Sequence, residues 1–353
     1  MRVVAAMSGG VDSSVTAALL LEQGHEVIGV HMKLHNGPPM AVDAGDTKAC
    51  CGLDDVIDCR RVADQLGIPF YVMDLRKEFE RAVMDNFRSE YIKGRTPNPC
   101  VQCNGVLKFR ILLRRAKALG ASHLATGHYA QITEDYGLRT AVDPKKDQSY
   151  FLFPVTREAL KQTFFPLGGM TKSEVRAHAS RLGLATASKR ESQDICFLPN
   201  GNHAAFIDYK GVDGDSSGNI VDEEGTILGQ HDAYYRYTIG QRKGLGIASP
   251  QPLYVLDIRS DSNEVVVGPG DRLFNQALEA RQLNWYRRPE RGEVLHARIR
   301  HRGPLIPCEL EGEDPLTVHL SAPARAITPG QAIVIYSGTD VVAGGWINRT
   351  LPA

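Results

Sequence analysis

The stretch Val3-Val4-Ala5-Ala6-Met7-Ser8-Gly9-Gly10-Val11-Asp12-Ser13-Ser14 decides how this chain is read. Four small apolar residues form a buried strand, two glycines interrupt it, and residues 13–23, closed by Gly24, read as a helix. A turn at the carboxyl end of a strand that opens onto a helix gathers backbone N–H groups and the positive end of the helix dipole, and both favour an anion. Gly9 and Gly10 let the main chain approach that anion closely, and the hydroxyls of Ser8, Ser13 and Ser14 add donors. The stretch is not a Walker loop, because the Gly-Lys-Ser/Thr ending is missing. It also lacks the spacing of a dinucleotide fingerprint. The plainer alternative is a tight strand-to-helix turn capped by Ser and Asp.

Outward from this loop, strand and helix signals alternate. Val27-Ile28-Gly29-Val30, Phe70-Tyr71-Val72-Met73 and His123-Leu124-Ala125-Thr126 read as strands, and residues 54–66 and 108–119 as helices ending at Gly67 and Gly120. Short apolar runs between helices predict a doubly wound parallel sheet covered on both faces. Residues 36–52 break the rhythm with Gly, Pro and Asp and read as a mobile loop. Beyond Pro199 helical signals fade and Gly-rich turns separate short runs such as Leu253-Tyr254-Val255-Leu256 and Glu264-Val265-Val266-Val267. From Ala277 onward, Ala297-Arg298-Ile299-Arg300, Leu316-Thr317-Val318-His319 and Ala332-Ile333-Val334-Ile335 suggest a small β-barrel. The expected division is a catalytic α/β domain over 1–199, a central, mostly β domain over 200–276, and a C-terminal barrel over 277–353.

Bulk properties set limits. A chain of 353 residues argues for two or three domains. Its 41 basic and 41 acidic residues cancel, so a nucleic-acid surface would have to come from local clustering. No run approaches the ~20 apolar residues of a membrane span. A strand that begins at Val3 leaves no room for a leader within this sequence, so a cytoplasmic location is expected. The seven cysteines, at 50, 51, 59, 100, 103, 196 and 308, do not look like a secreted disulfide framework.

The loop Ser8-Gly9-Gly10-Val11-Asp12-Ser13-Ser14 resembles that of the ATP pyrophosphatases, which cleave ATP between its α and β phosphates and leave an adenylated substrate. Two further segments narrow the choice: Gly94-Arg95-Thr96-Pro97-Asn98-Pro99-Cys100-Val101-Gln102-Cys103-Asn104 and Glu191-Ser192-Gln193-Asp194-Ile195-Cys196-Phe197. With Ala125-Thr126-Gly127-His128-Tyr129-Ala130, Lys146-Asp147-Gln148-Ser149-Tyr150-Phe151-Leu152 and the run from Tyr237 through Gln241-Arg242-Lys243 to Gly246, they resemble the bacterial tRNA-specific 2-thiouridylases. The motifs occur in that family's order across nearly the whole chain.

The resemblance implies ATP-dependent 2-thiolation of the wobble uridine, position 34, of tRNAs for lysine, glutamate and glutamine, with MgATP as cosubstrate and sulfur from a persulfide donor protein. It assigns the persulfide to Cys196 and the partner nucleophile to Cys103. A thiolate can attack a persulfide and release its terminal sulfur while a disulfide forms. The two Cα atoms must then come within ~7 Å. The resemblance further places Ala6, Met7, Ser8, Gly9, Gly10, Val11, Asp12, Ser13, Met32 and Gly127 around ATP. It places Lys146, Asp147 and Gln148 against tRNA; the wobble uridine is expected near Asn98, Pro99 and Cys100, and His301 and Arg302, from a basic cluster near the C-terminus, are further candidates for tRNA contact. Pro97 and Pro99 bias the Cys103 segment away from helix and suggest a loop that holds a base.

Cys100 departs from part of the family, where an Asp acts as acid or base towards the uridine. A thiol's unperturbed pKa, ~8.5 against ~3.9, prevents a simple transfer of that role. Cys100-x-x-Cys103 with Cys196 also leaves an iron–sulfur cluster open. Cys50, Cys51 and Cys59 read as structural, with zinc as the alternative, and Cys308 as packing. Arg298, Arg300, His301 and Arg302, after Arg287, Arg288 and Arg291, form a basic cluster suited to RNA phosphates or to a solvated face. Arg242 and Lys243 are similar. Two rivals remain at this stage: another ligase with the same loop, and a non-catalytic tRNA-binding or nucleotide-sensing protein.

Overall fold

A computed structural model describes residues 1–36, 53–191, 195–198 and 201–351. Most of the stretch read as a mobile loop, with Cys50 and Cys51, lies outside the described residues. The first part supplies strands β1 (Arg2–Ala6), β2 (Glu26–Lys33), β3 (Phe70–Asp74), β4 (His123–Ala125), β5 (Ala130–Ile132), β6 (Leu138–Thr140) and β7 (Thr163–Phe164). Five of them pair in parallel in the order β3-β2-β1-β4-β7. The order reverses between β1 and β4, which creates the crevice where open parallel sheets bind ligands. The expected doubly wound sheet is therefore present, followed by a central β region and a closed barrel.

Alternation along β1 builds two cores. Val3 and Ala5 join Val15, Ala17, Val62 and Ala63 on one face, which packs under α1 (Val11–Glu22) and α2 (Leu53–Leu66). Val4 points to the other face, with Ile28, Val30, Leu124, Phe109 and Leu112. There the helical chain runs through α3 (Arg76–Phe79), a π-helical turn (Glu80–Met84), α4 (Asp85–Ile92), α5 (Pro99–Gln102), a longer π-helical segment (Cys103–Leu112) and α6 (Leu113–Ala118). The sequence predicted a loop through Cys103 and a helix only from Lys108. Instead, Asn98 caps a helix whose first residue is Pro99, with its Oδ1 accepting from Val101 N at 3.3 Å. Proline cannot sit inside a helix without penalty, but at the first position its missing N–H costs nothing.

Three short helices, α7 (Ser149–Leu152), α8 (Arg157–Leu160) and α9 (Lys172–Arg181), complete this part. A capping box of Thr171 and Glu174 starts α9. The central region follows α10 (His203–Lys210) with β8 (Gly218–Val221), β9 (Ile227–His231), β10 (Tyr254–Arg259) and β11 (Glu264–Gly268), in the sheet order β10-β11-β8-β9. The barrel comprises β12 (Phe274–Trp285), β13 (Leu295–Arg298), β14 (Ile306–Gly312), β15 (Leu316–Arg325), β16 (Ala332–Ser337) and β17 (Asp340–Leu351), and β12 pairs with β17 to close it. Among the described residues, no helix is long and apolar enough to cross a membrane.

The barrel is fused to the first sheet rather than tethered to it. Strand β6 pairs with β17, and Arg139 meets Asp340 at 2.6 Å across that junction. Tyr150, Tyr286, Val334 and Tyr336 share one core with Val4 and Leu124. The Tyr150 hydroxyl donates to the Ala332 carbonyl at 2.9 Å, and that of Tyr286 to the Val155 carbonyl at 2.7 Å. Gly344 lies directly on the Phe153 ring, where a Cβ would overlap it. Overpacking of this kind typically costs about 1–3 kcal/mol. Gly344→Ala should therefore lower unfolding stability by about that amount, read as a shifted urea midpoint; an unchanged midpoint would show that the barrel is not seated on Phe153.

Candidate active site

The loop after β1 is held rigidly. Met7 N donates to the Val30 carbonyl at 2.8 Å, and the buried His31 ring contacts the Met7 carbonyl through Nδ1 at 3.0 Å. Ser13 Oγ accepts from Ser8 N at 3.1 Å and donates to the Gly10 carbonyl at 3.0 Å; Ser14 Oγ donates to the same carbonyl at 2.9 Å. Gly9 has φ +77°, and a Cβ there would stand 2.8 Å from the Asp55 carbonyl oxygen. Gly10 occupies the N-cap of α1 without a side-chain acceptor for the first-turn N–H groups. Those donors and the helix dipole are what an anion needs.

Gly127, just past β4, reaches the same place. A Cβ on it would come within 3.0 Å of the Asp12 carbonyl carbon and the Ser13 nitrogen. The turn after β4 thus lies directly against the first turn of α1. Met32, near the end of β2, packs against the core under β1 and also against a second cluster built from Phe79, Phe87, Leu107 and Phe197.

That second cluster gathers the thiols. Cys103 and Cys196 both border it, with Val106 and Ile195 beside them. Phe197 anchors the Cys196 segment by edge contacts to Phe79 at 5.7 Å and Phe87 at 5.4 Å. Burial pushes the Cys103 thiol up to about 11, against the pull of Lys108 and with the aid of Cys100. Part of the residue still reaches the surface, yet the dense protein around the sulfur governs its ionisation. Cys100 is exposed one turn earlier. Among the described residues, no three His, Cys, Asp or Glu side chains gather as metal ligands, so no cluster cradle stands ready at Cys100, Cys103 and Cys196. Cys59 is buried 3.6 Å from His31, and Cys308 packs in the barrel core.

Sequence reasoning missed a charged network behind the loop. Asp12 Oδ1 accepts from the Tyr129 hydroxyl and from Lys172 Nζ, each at 2.7 Å. Lys172 also meets Glu191 at 2.5 Å, and Glu191 meets Lys146 at 2.5 Å. Burial opposes ionisation of Glu191, but the two ammonium groups outweigh it and hold its pKa below the usual carboxylate range. Lys172 offers no motif in the sequence beyond the helix start that its neighbours mark.

The residues expected at tRNA fall into two groups. Gln148 exchanges bonds with Tyr129, its Oε1 accepting from Tyr129 N at 2.9 Å and its own N donating to the Tyr129 carbonyl at 2.8 Å. His301 and Arg302 are exposed in the turn after β13, and the His301 ring lies 4.4 Å from that of Phe151. Asn104, next to Cys103, donates to the Phe151 carbonyl at 3.1 Å, so these three segments converge. Asp147 is turned inward, accepting from Ala141 N and from Ser149 N and Oγ, and facing Arg298 at 3.5 Å. The basic cluster is divided accordingly. Arg298 lies over the Tyr336 ring, Arg287 pairs with Glu293, and Arg288 pairs with Glu313. Arg300, His301 and Arg302 remain outward, as do Arg242 and Lys243.

Known proteins match this arrangement over the full length. The family description "tRNA methyl transferase HUP domain" fits residues 1–200, "tRNA methyl transferase PRC-barrel domain" residues 206–269, and "Aminomethyltransferase beta-barrel domain" residues 275–347. The chain is 51% identical to a protein of Geotalea uraniireducens, over 99% of its own length and 96% of the relative's. It is 49% identical to one of Geobacter metallireducens (99% and 97% covered) and 48% identical to one of Carboxydothermus hydrogenoformans (99% and 98%). Each of these is named tRNA-specific 2-thiouridylase MnmA. With half its residues shared across nearly the whole of such proteins, the chain belongs to the tRNA-specific 2-thiouridylase family and is a tRNA sulfurtransferase.

Proposed function

We propose that this enzyme thiolates C2 of the wobble uridine, position 34, through an adenylated base and a Cys196 persulfide. One observation carries the reading: Met32, Cys103 and Cys196 border the same apolar cluster, and Met32 also packs against the core that holds Val4 of β1, the strand leading into the glycine loop. Nucleotide and sulfur chemistry are thereby assigned to the border of one apolar cluster.

ATP binds with its phosphates over residues 6–13 and its remaining groups towards Met32 and Gly127. Mg²⁺ arrives with it as part of the substrate. The 1–199 domain carries the chemistry, while the 200–276 and 277–353 domains hold tRNA. Asn98 and Cys100, at the start of α5, face the extruded uridine, while Pro99 between them is buried and fixes the turn. Lys146, Gln148, His301 and Arg302 contact tRNA around it, and Asp147 shapes their turn with its inward carboxylate. The base's O2 attacks the α-phosphate and pyrophosphate departs, so that a poor leaving oxygen becomes part of AMP.

Sulfur then reaches C2. The Cys103 thiolate attacks Cys196 Sγ of the persulfide, a Cys103–Cys196 disulfide forms, and the released hydrosulfide displaces AMP; alternatively the persulfide attacks C2 before the disulfide closes. A persulfide donor protein loads Cys196, and an external thiol reduces the disulfide between turnovers. The chemistry belongs in the cytoplasm, where tRNA, ATP and reducing thiols coexist.

Two experiments test this. Cys103→Ser and Cys196→Ser should abolish 2-thiouridine formation, measured by nucleoside mass analysis of tRNA incubated with ATP and a sulfur source, while tRNA-dependent pyrophosphate release persists. Substantial turnover by either variant rejects the two-thiol scheme. Gly127→Val should weaken ATP binding about tenfold or more in equilibrium dialysis, because the branched side chain must push the loop backbone aside; wild-type affinity would remove Gly127 from the nucleotide site.

A further inference from the structure

Cys103 opens the π-helical segment Cys103–Leu112. In an α-helix of 3.6 residues per turn, the residue five places on lies round the flank; the i→i+5 bonding of a π-helix returns it beneath the first. That residue is Lys108. Helical side chains lean towards the helix N-terminus, so Lys108 leans back towards the thiol, within electrostatic reach of it.

The ammonium is steered from the other side. Lys108 Nζ lies 3.3 Å from His128 Nε2, and His128 Nδ1 lies 2.7 Å from Thr126 Oγ1. Burial, reinforced by Lys108, keeps His128 neutral. Nε2 therefore accepts from Lys108, and Nδ1–H donates to Thr126. The other groups facing Cys103 are Cys100 on the preceding turn, which opposes its ionisation, and the apolar wall it shares with Cys196.

We propose that Lys108 is a positioning residue for sulfur transfer, its ammonium held near Cys103 by the His128–Thr126 pair so that the buried thiol loses its proton to water more readily than it would without that charge. The inference rests on reading Cys103 as the attacking thiol. Its test needs neither tRNA nor ATP, so failure of the two-thiol scheme would show separately, in the Cys103→Ser assay.

The measurement is the rate at which iodoacetamide alkylates Cys103 in the full chain, followed by mass spectrometry of its peptide between about pH 7 and about pH 9.5. Below the thiol's pKa the rate climbs about tenfold per pH unit in every variant. Lys108→Met should lower it about tenfold throughout, a parallel displacement, and Lys108→Arg should stay within about threefold of wild type. His128→Ala should slow alkylation severalfold, because the ammonium loses its anchor. Wild-type rates in Lys108→Met overturn the proposal, and so does a Lys108→Arg loss as large as that of Lys108→Met, which would mean shape rather than charge. Should Lys108→Met not fold, judged by circular dichroism, the other two variants decide: retained reactivity in Lys108→Arg with slowed reactivity in His128→Ala supports the placement, and any other pairing overturns it.

Discussion

The contact on which the site depends is the one between Lys172 and Asp12 at 2.7 Å, with Glu191 on the same ammonium at 2.5 Å. Asp12 belongs to the first turn of α1, Lys172 to that of α9, and Glu191 lies five residues before Cys196. One ammonium thereby ties the anion-binding loop to the segment that carries a thiol. Lys172 is only 13% exposed, so removing one of its carboxylates would leave a poorly solvated charge. A polyphosphate placed over the loop competes with Asp12 and Glu191 for that cation. The network therefore has a physical reason to respond to an anion at the loop.

Much of the fold was legible because buried parallel strands leave a strong mark. Val3–Ala6 and residues 27–30 are apolar on both faces and flanked by glycines, and they became β1 and β2 in register, Val3 opposite Val27. The glycine loop was legible for a similar reason, since its backbone requirements are written in residue types. The Cys103 segment was misread because Pro97 and Pro99 forbid helix before them but not after. Asn98 supplies the cap, and Pro99 becomes the first helical residue. Nothing local announced the π-helical winding that follows.

Side-chain partners were the least legible part. Tyr129 and Lys172 reach Asp12 across 117 and 160 residues of chain, and Glu191 reaches Lys146 across 45, and no periodicity encodes that. The basic residues near the C-terminus look uniform in sequence, yet Arg298 is spent on Asp147 and Tyr336, while Arg300, His301 and Arg302 face outward. The same ambiguity hid the seam between domains. Strand β6, which reads as part of the first domain, extends the barrel's sheet through β17, and the turn at His301 is held against Phe151 of that domain.

Burial of the thiols has two opposed effects, and their balance explains the arrangement around Cys103. An apolar wall disfavours the thiolate, which keeps the sulfur inert towards stray electrophiles. The same low-polarity surroundings strengthen any nearby charge, because little water intervenes to screen it. A lysine on the surface would do little for a sulfur at this depth. The Lys108 ammonium acts on it through protein rather than through solvent, and a neutral, buried His128 accepts a hydrogen bond from that ammonium at 3.3 Å. Burial is thus the larger influence on the Cys103 thiol, and the charge of Lys108 works against it.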